Sequence, residues 1–203
     1  MKISNYRVGP IMTNCYLAVN EKTKEGFFVD PGAEPGRLIR EIKDNDIILT
    51  GILLTHGHFD HIMAVNELRD EFQVKVYANE LEKEVLQDVR SNMSSGYTTK
   101  ADVYLTDGEE FSLAGVPIKM LSTPGHTVGG CCYYLAAEGI LFSGDTLFHG
   151  SVGRTDFPGG SASTLVRSIQ EKLLVLPEET KVYPGHDSQT TIQFEKRYNP
   201  FVS

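Results

Sequence analysis

The chain has 203 residues, 40% of them hydrophobic and 23% charged, with a formal net charge of −8 and a pI near 5.2. That composition suits a globular domain large enough to bury its own core, and it argues against a nucleic-acid binder, which would carry clustered Lys and Arg. No apolar run reaches membrane-spanning length, and Met1 to Pro10 lacks the apolar centre of a signal peptide.

Residues 1–203 read as one domain. Asn14 to Val19 and Gly26 to Val29 are short, apolar and aromatic, and predict strands around the charged turn Asn20 to Glu25. Pro35 to Lys43 predicts a short helix with Leu38, Ile39 and Ile42 on one side. Ile47 to Leu54 is a nearly continuous apolar run, the pattern of a strand buried on both faces. The segment that follows is helical by the spacing of Ile62, Val65, Leu68 and Phe72, with Asp60 at its start. Val74 to Tyr77 is strand-like. Asn79 and Glu82 then form a capping-box pattern, with Leu81, Val85 and Val89 expected along one helix face. Arg90 to Lys100 has no periodicity and reads as an exposed loop that either overhangs a site or merely connects.

The second half repeats the style. Glu109 to Leu113, Val116 to Leu121, Cys131 to Leu135 and Ile140 to Phe142 predict strands. Ser161 to Leu174 predicts a helix, Lys181 to Tyr183 a last strand, and Gln189 to Lys196 a last helix. Adjacent Cys131 and Cys132 should point to opposite faces of their strand and pack in the interior. With Cys15 they are the only cysteines, without metal-type spacing, and a reducing cytoplasm fits them. Each half gives several strands, a strand ending in a polar loop, and a helix. This mixture implies two sheets packed face to face with helices outside.

Those polar loops carry the chemistry. All but one of the six histidines fall in Thr55-His56-Gly57-His58-Phe59-Asp60-His61, Gly125-His126-Thr127 and Gly185-His186-Asp187, joined by Gly144-Asp145-Thr146. Imidazole nitrogen and carboxylate oxygen are ligands for zinc and similar divalent ions. In an extended segment His56 and His58 lie on the same side, so both can reach one ion. Asp60 and His61 follow the turn into the helix and point elsewhere, which makes a second ion natural. His126 can complete the first site and His186 the second, with Asp145 bridging. Two ions about 3.5–4 Å apart leave room for a shared water activated at neutral pH. Zinc is the expected metal, with iron or manganese compatible with the same ligands. Asp60 and Asp145 are the carboxylates expected to act in catalysis. Gly125, Gly144 and Gly185 are read as permitting tight turns that aim their neighbours.

The run T-H-G-H-F-D-H, followed by T-P-G-H-T, S-G-D-T-L-F and Y-P-G-H-D, resembles the metallo-β-lactamase fold superfamily. The resemblance extends from Asn14-Cys15-Tyr16 to Asn199-Pro200-Phe201. It implies an α/β fold, an αββα four-layer sandwich with metals at one edge of the sheets, and it implies the ligand set assigned above. It also gives Asp30 a place just outside the metals, although turn capping would explain that residue equally. Asp145-Thr146-Leu147-Phe148 and Gly153-Arg154-Thr155-Asp156 are most similar to glyoxalase II-like hydrolases. Asp60, and the lack of a cysteine in the second site, set the chain apart from many true β-lactamases. The implied activity is hydrolysis of a small-molecule thioester, of the S-acylglutathione type, or of an ester. Nucleic acid and membrane are not expected partners. Few residues follow His186, too few for the helical domain with which full-length glyoxalase II enzymes hold glutathione. The rival reading, from Gly153-Arg154-Thr155-Asp156-Phe157, is a persulfide dioxygenase with one iron held by His56, His126 and Asp145. Three further residues are candidate substrate contacts. They are His149, as contact or proton shuttle, Arg154 for an anionic group, and Tyr183 as an oxyanion donor.

Overall fold

A computed structural model describes residues 1–202. The first sheet contains β1 (Lys2–Val8), β2 (Thr13–Val19), β3 (Glu25–Val29), β4 (Ile48–Leu53), β5 (Lys75–Asn79) and β6 (Val103–Leu105), side by side in that order. Its first two pairings are antiparallel and the other three parallel. The second sheet begins with β7 (Glu110–Leu113), β8 (Val116–Ser122), β9 (Cys131–Leu135) and β10 (Ile140–Gly144). A small hairpin of β11 (Leu147–Phe148) and β12 (Ser151–Val152) intervenes before β13 (Lys181–Pro184) and β14 (Thr190–Thr191) complete it, in the order β14-β13-β10-β9-β8-β7.

Strand side chains alternate between two interiors, as a period of two requires. Tyr16, Ala18, Phe27, Val29 and Leu53 from one sheet meet Ile118, Met120, Tyr133, Phe142 and Tyr183 from the other. The residues that alternate with them along each strand face outward: Leu17, Phe28 and Ile52 pack beneath α1 (Pro35–Asp44), α2 (Phe59–Ile62), α3 (Val65–Phe72) and α4 (Lys83–Gln87). Cys132, Leu141 and Val182 pack beneath α5 (Ala162–Ser168) and α6 (Ile192–Tyr198). The result is the expected αββα sandwich. The cysteine pair divides as expected, Cys131 between the sheets and Cys132 under the outer helices. Ser161 caps α5 by accepting a hydrogen bond from the Thr164 N–H at 3.3 Å. Ser161→Ala should therefore cost about 1 kcal/mol, lowering Tm in a calorimetric scan by roughly 2–4 °C.

Several expectations need correction. β1 was not foreseen, because an edge strand with one wet face carries polar residues. The helix after Asp60 is two helices, broken at Met63-Ala64, where the Ala64 N–H turns to the Pro31 carbonyl. Ser161 to Leu174 begins as α5 but passes into a π-helical turn over Ile169–Leu173. The last helix starts at Ile192, after β14, rather than at Gln189. Asn79 caps only a short 3₁₀ turn, and Glu82 does not reach back to it; Leu81 and Val89 are exposed rather than packed beside Val85. The Arg90 to Lys100 segment is tied down: the Asn92 carbonyl accepts from the Phe59 N–H, and the Tyr97 hydroxyl from the Asn66 N–H.

Candidate metal centre

Four loops converge at one edge of the sandwich. One follows β4 and carries His56, His58, Asp60 and His61. The others follow β8, β10 and β13 and carry His126, Asp145 and His186. Contacts between the sheets fix their meeting. The Asn14 N–H donates to the Gly185 carbonyl at 2.8 Å, and the Asn14 side chain and Tyr16 hydroxyl both donate to the Pro184 carbonyl. The beginning of β2 thereby holds the end of β13, and His186 with it, against the first-sheet loop. Thr13 adds a 2.7 Å hydrogen bond from its hydroxyl to Asp60.

The side chains form two groups. His56, His58 and His126 offer ring nitrogens within 4.8 Å of one another, and Asp60, His61 and His186 do the same with nitrogen and oxygen. Asp145 lies between them. Its Oδ1 is 3.4 Å from His61 Nε2, and its Oδ2 is 3.5 Å from His126 Nε2 and 3.6 Å from His186 Nε2. The structure thus brings together all seven residues anticipated as ligands.

Three buried atoms here, His56 Nε2, His61 Nε2 and Asp145 Oδ1, have no hydrogen-bond partner. Unpaired buried polar atoms are costly, and three converging on one space fit a bound cation. The opposite ring nitrogens of His56, His61 and His126 are engaged, as is usual for metal-binding imidazoles. His61 Nδ1 is 3.0 Å from Asp30 Oδ2, His126 Nδ1 is 2.7 Å from the Arg154 carbonyl, and His56 Nδ1 is 3.1 Å from Thr55 Oγ1. Asp30 also accepts from the Thr55 N–H and hydroxyl, so it braces both the turn and the imidazole.

The two groups differ in charge. Burial, then neighbouring imidazoles, push His56 well below the usual histidine range and His58 down to about 3, so both rings are neutral and ready to ligate. Burial also opposes charge on His61, but Asp60, Asp145 and Asp30 outweigh it and hold its pKa high. Asp60 is held well below the carboxylate range: burial opposes this, but the charge of His61 3.2 Å away and the contacts from His186 and the Thr13 hydroxyl prevail.

Gly125 and Gly144 have φ of 135° and 49°, so these two do make turns closed to most side chains. Gly185 has no positive φ; its role is to leave room, because a Cβ there would overlap Asp145 Oδ1. The candidate substrate contacts fall in three different places. The Arg154 guanidinium pairs with Asp156 and lies 4.0 Å from the centroid of Phe157, whose ring packs on His58. His149 is exposed and stacks on Phe194 of α6, 4.5 Å between centroids. Tyr183 sits between the sheets against Tyr16 and Phe142. Sequence reasoning overlooked Thr13, Thr55 as the mount for His56, Phe157 and Glu82. Of these, Thr55 and Phe157 stood inside recognised motifs and Glu82 inside a capping-box pattern, each without the role the structure gives it; Thr13 carried no signal.

Fold and site together define a metal-binding sandwich of the hydrolase type, and the chain belongs to the metallo-beta-lactamase superfamily, whose family model matches residues 8–186. Hydroxyacylglutathione hydrolase GloC of Haemophilus influenzae is 37% identical over 100% of this chain and 99% of its own length. Among solved structures, the BLEG-1 B3 metallo-beta-lactamase superposes with a TM-score of 0.94 at 39% identity, covering 100% of both chains. TTHA1623 in a di-iron-bound form gives 0.85 at 35% identity, covering 98% of this chain and 99% of its own. No helix among the described residues is long and apolar enough to cross a membrane.

Proposed function

We propose that this protein is a dinuclear metal-dependent hydrolase that cleaves a small-molecule thioester, of the S-acylglutathione kind, or an ester, with residues 1–203 acting as one domain. The observation that carries the reading is Asp145, a carboxylate with a buried unpaired oxygen, within 3.6 Å of imidazoles from both groups. His56, His58 and His126 would hold one ion, Asp60, His61 and His186 the other, and Asp145 both. Two such ions supply a water acidic enough, with a pKa near ~7, to act as nucleophile, and positive charge for the oxyanion. Asp30, Thr55 and the Arg154 carbonyl keep the imidazoles aimed. Side-chain exposure of 24% at His186, against 0% at His61, marks the open side where substrate enters. Arg154 and Phe157, beside His58, form a rim suited to the substrate's polar end. The likeness to GloC supports the thioester class, and the di-iron relative supports two ions.

A chelated sample should lose thioester turnover and regain it with zinc, iron or manganese. Metal in excess of its Kd by about 1,000-fold stabilises the folded state by about 4 kcal/mol, so Tm should rise by roughly 10 °C on reloading. The substrate panel should include S-acylglutathiones, lactones, a β-lactam and glutathione persulfide. One iron per chain with oxygen uptake on the persulfide would replace this reading with the dioxygenase. Full metal loading without acyl transfer would also overturn it.

A further inference from the structure

Glu82 is an acid with 0% exposure, placed where burial raises its pKa against three opposing hydrogen bonds. Its Oε2 accepts from the Gly57 N–H at 2.7 Å. Its Oε1 accepts from the Thr127 hydroxyl at 2.6 Å and from the Gly129 N–H at 2.8 Å. Gly57 lies between His56 and His58, and Thr127 follows His126. One carboxylate therefore spans the two loops, from different sheets, that supply all three nitrogens of the imidazole group.

The surrounding glycines fit the same purpose. Gly57 has no positive φ, yet a Cβ there would lie 3.0 Å from Glu82 Oε2 and 3.2 Å from the Leu86 nitrogen. A Cβ on Gly129 would lie 2.6 Å from the Glu82 nitrogen. The glycine inside the His-Gly-His run is thus the gap through which the start of α4 delivers its acid. A buried carboxylate is costly unless fully hydrogen-bonded, and two of these three donors are backbone groups of the ligand loops.

We propose that Glu82 is a positioning residue for the three-imidazole half of the centre, fixing the His56–His58 loop against His126 so that the three nitrogens converge before an ion arrives. The proposal rests on the reading of those histidines as ligands. Glutamine at this position has one acceptor oxygen, so either Gly57 or Gly129 would face an amide donor instead. Supporting groups of this kind change metal affinity by roughly 10–100-fold.

The test is a zinc titration against a competing chelator, on wild type, Glu82→Gln and Thr127→Val, with thermal unfolding of each metal-free form. Of two zinc equivalents, one should weaken by roughly 10–100-fold in Glu82→Gln while the other keeps its wild-type affinity. In a His186→Ala background, where only the imidazole half is complete, the remaining equivalent should weaken by the same factor. Thr127→Val keeps the carboxylate and both backbone donors; it should show a smaller loss on the same equivalent, and it carries the test if Glu82→Gln fails to fold. Unchanged affinities, or equal weakening of both equivalents, would overturn the proposal and leave Glu82 a fold-stabilising acid. If wild type holds a single ion, the same comparison applies to that one. A wild type that binds no zinc would instead overturn the functional reading on which this rests.

Discussion

Asp145→Asn should lower kcat for the thioester by about 10⁴-fold, the scale on which losing one member of a catalytic unit acts. The substitution preserves shape but removes the charge and turns one oxygen into a donor. Either orientation presents an NH₂ to one of the groups that Asp145 faces, His61 on one side and His126 and His186 on the other. The fold should hardly notice. Asp145 Oδ1 has no hydrogen-bond partner to lose, so the metal-free Tm should stay near wild type. Steady-state kinetics, metal content and thermal unfolding of the chelated protein read the three effects separately. Retention of more than a tenth of the activity would show that Asp145 does not link the two halves.

Gly185→Ala should also be severe, by a different route. Its new methyl group would overlap Asp145 Oδ1 and sit 2.7 Å from His61 Cε1 and 3.2 Å from the Gly144 carbonyl carbon. Backbone strain is not involved, because φ here is ordinary. Something must move, and the nearest atoms are two proposed ligands, one in each sheet's loops. Misplacing reacting groups by about 1 Å can cost about 10²-fold, so kcat should fall by at least that. Overpacking of this kind costs about 1–3 kcal/mol, seen as a lower Tm even without metal. Gly36→Ala makes the same chemical change in α1, where the nearest neighbour is Arg40 Nη1 at 3.8 Å, and should leave activity intact. Equal activities in the two variants would contradict the crowding described at Gly185.

The proposed ligands were legible because they sit in short motifs at strand ends, where a two-residue period and a following helix fix direction locally. The sandwich was legible for the same reason: Tyr16 against Leu17, or Cys131 against Cys132, declare opposite faces within two residues. What escaped depends on partners far away in the chain. Glu82 looked like a capping acid because Asn79 stands three residues before it, whereas its real partners lie at Gly57 and Thr127. His149 stood near Asp145 in sequence, yet its ring rests on Phe194. Tyr183 adjoins a ligand loop but is claimed by aromatic neighbours from both sheets. The break at Met63-Ala64 follows from the Pro31 carbonyl, which no local pattern announces.

The four loops are spread unevenly along the chain: the first is complete by His61, His126 and Asp145 come later, and His186 comes last. During synthesis the ribosome must deliver β13 before Asn14 and Tyr16 have a strand end to grasp and before His186 can meet Asp60. A nascent chain stalled at position 160 would already carry the imidazole trio, Asp145, Asp60 and His61, and of the seven proposed ligands would lack only His186. The proposed Asp60–His61–His186 pocket therefore cannot be completed until β13 has been delivered.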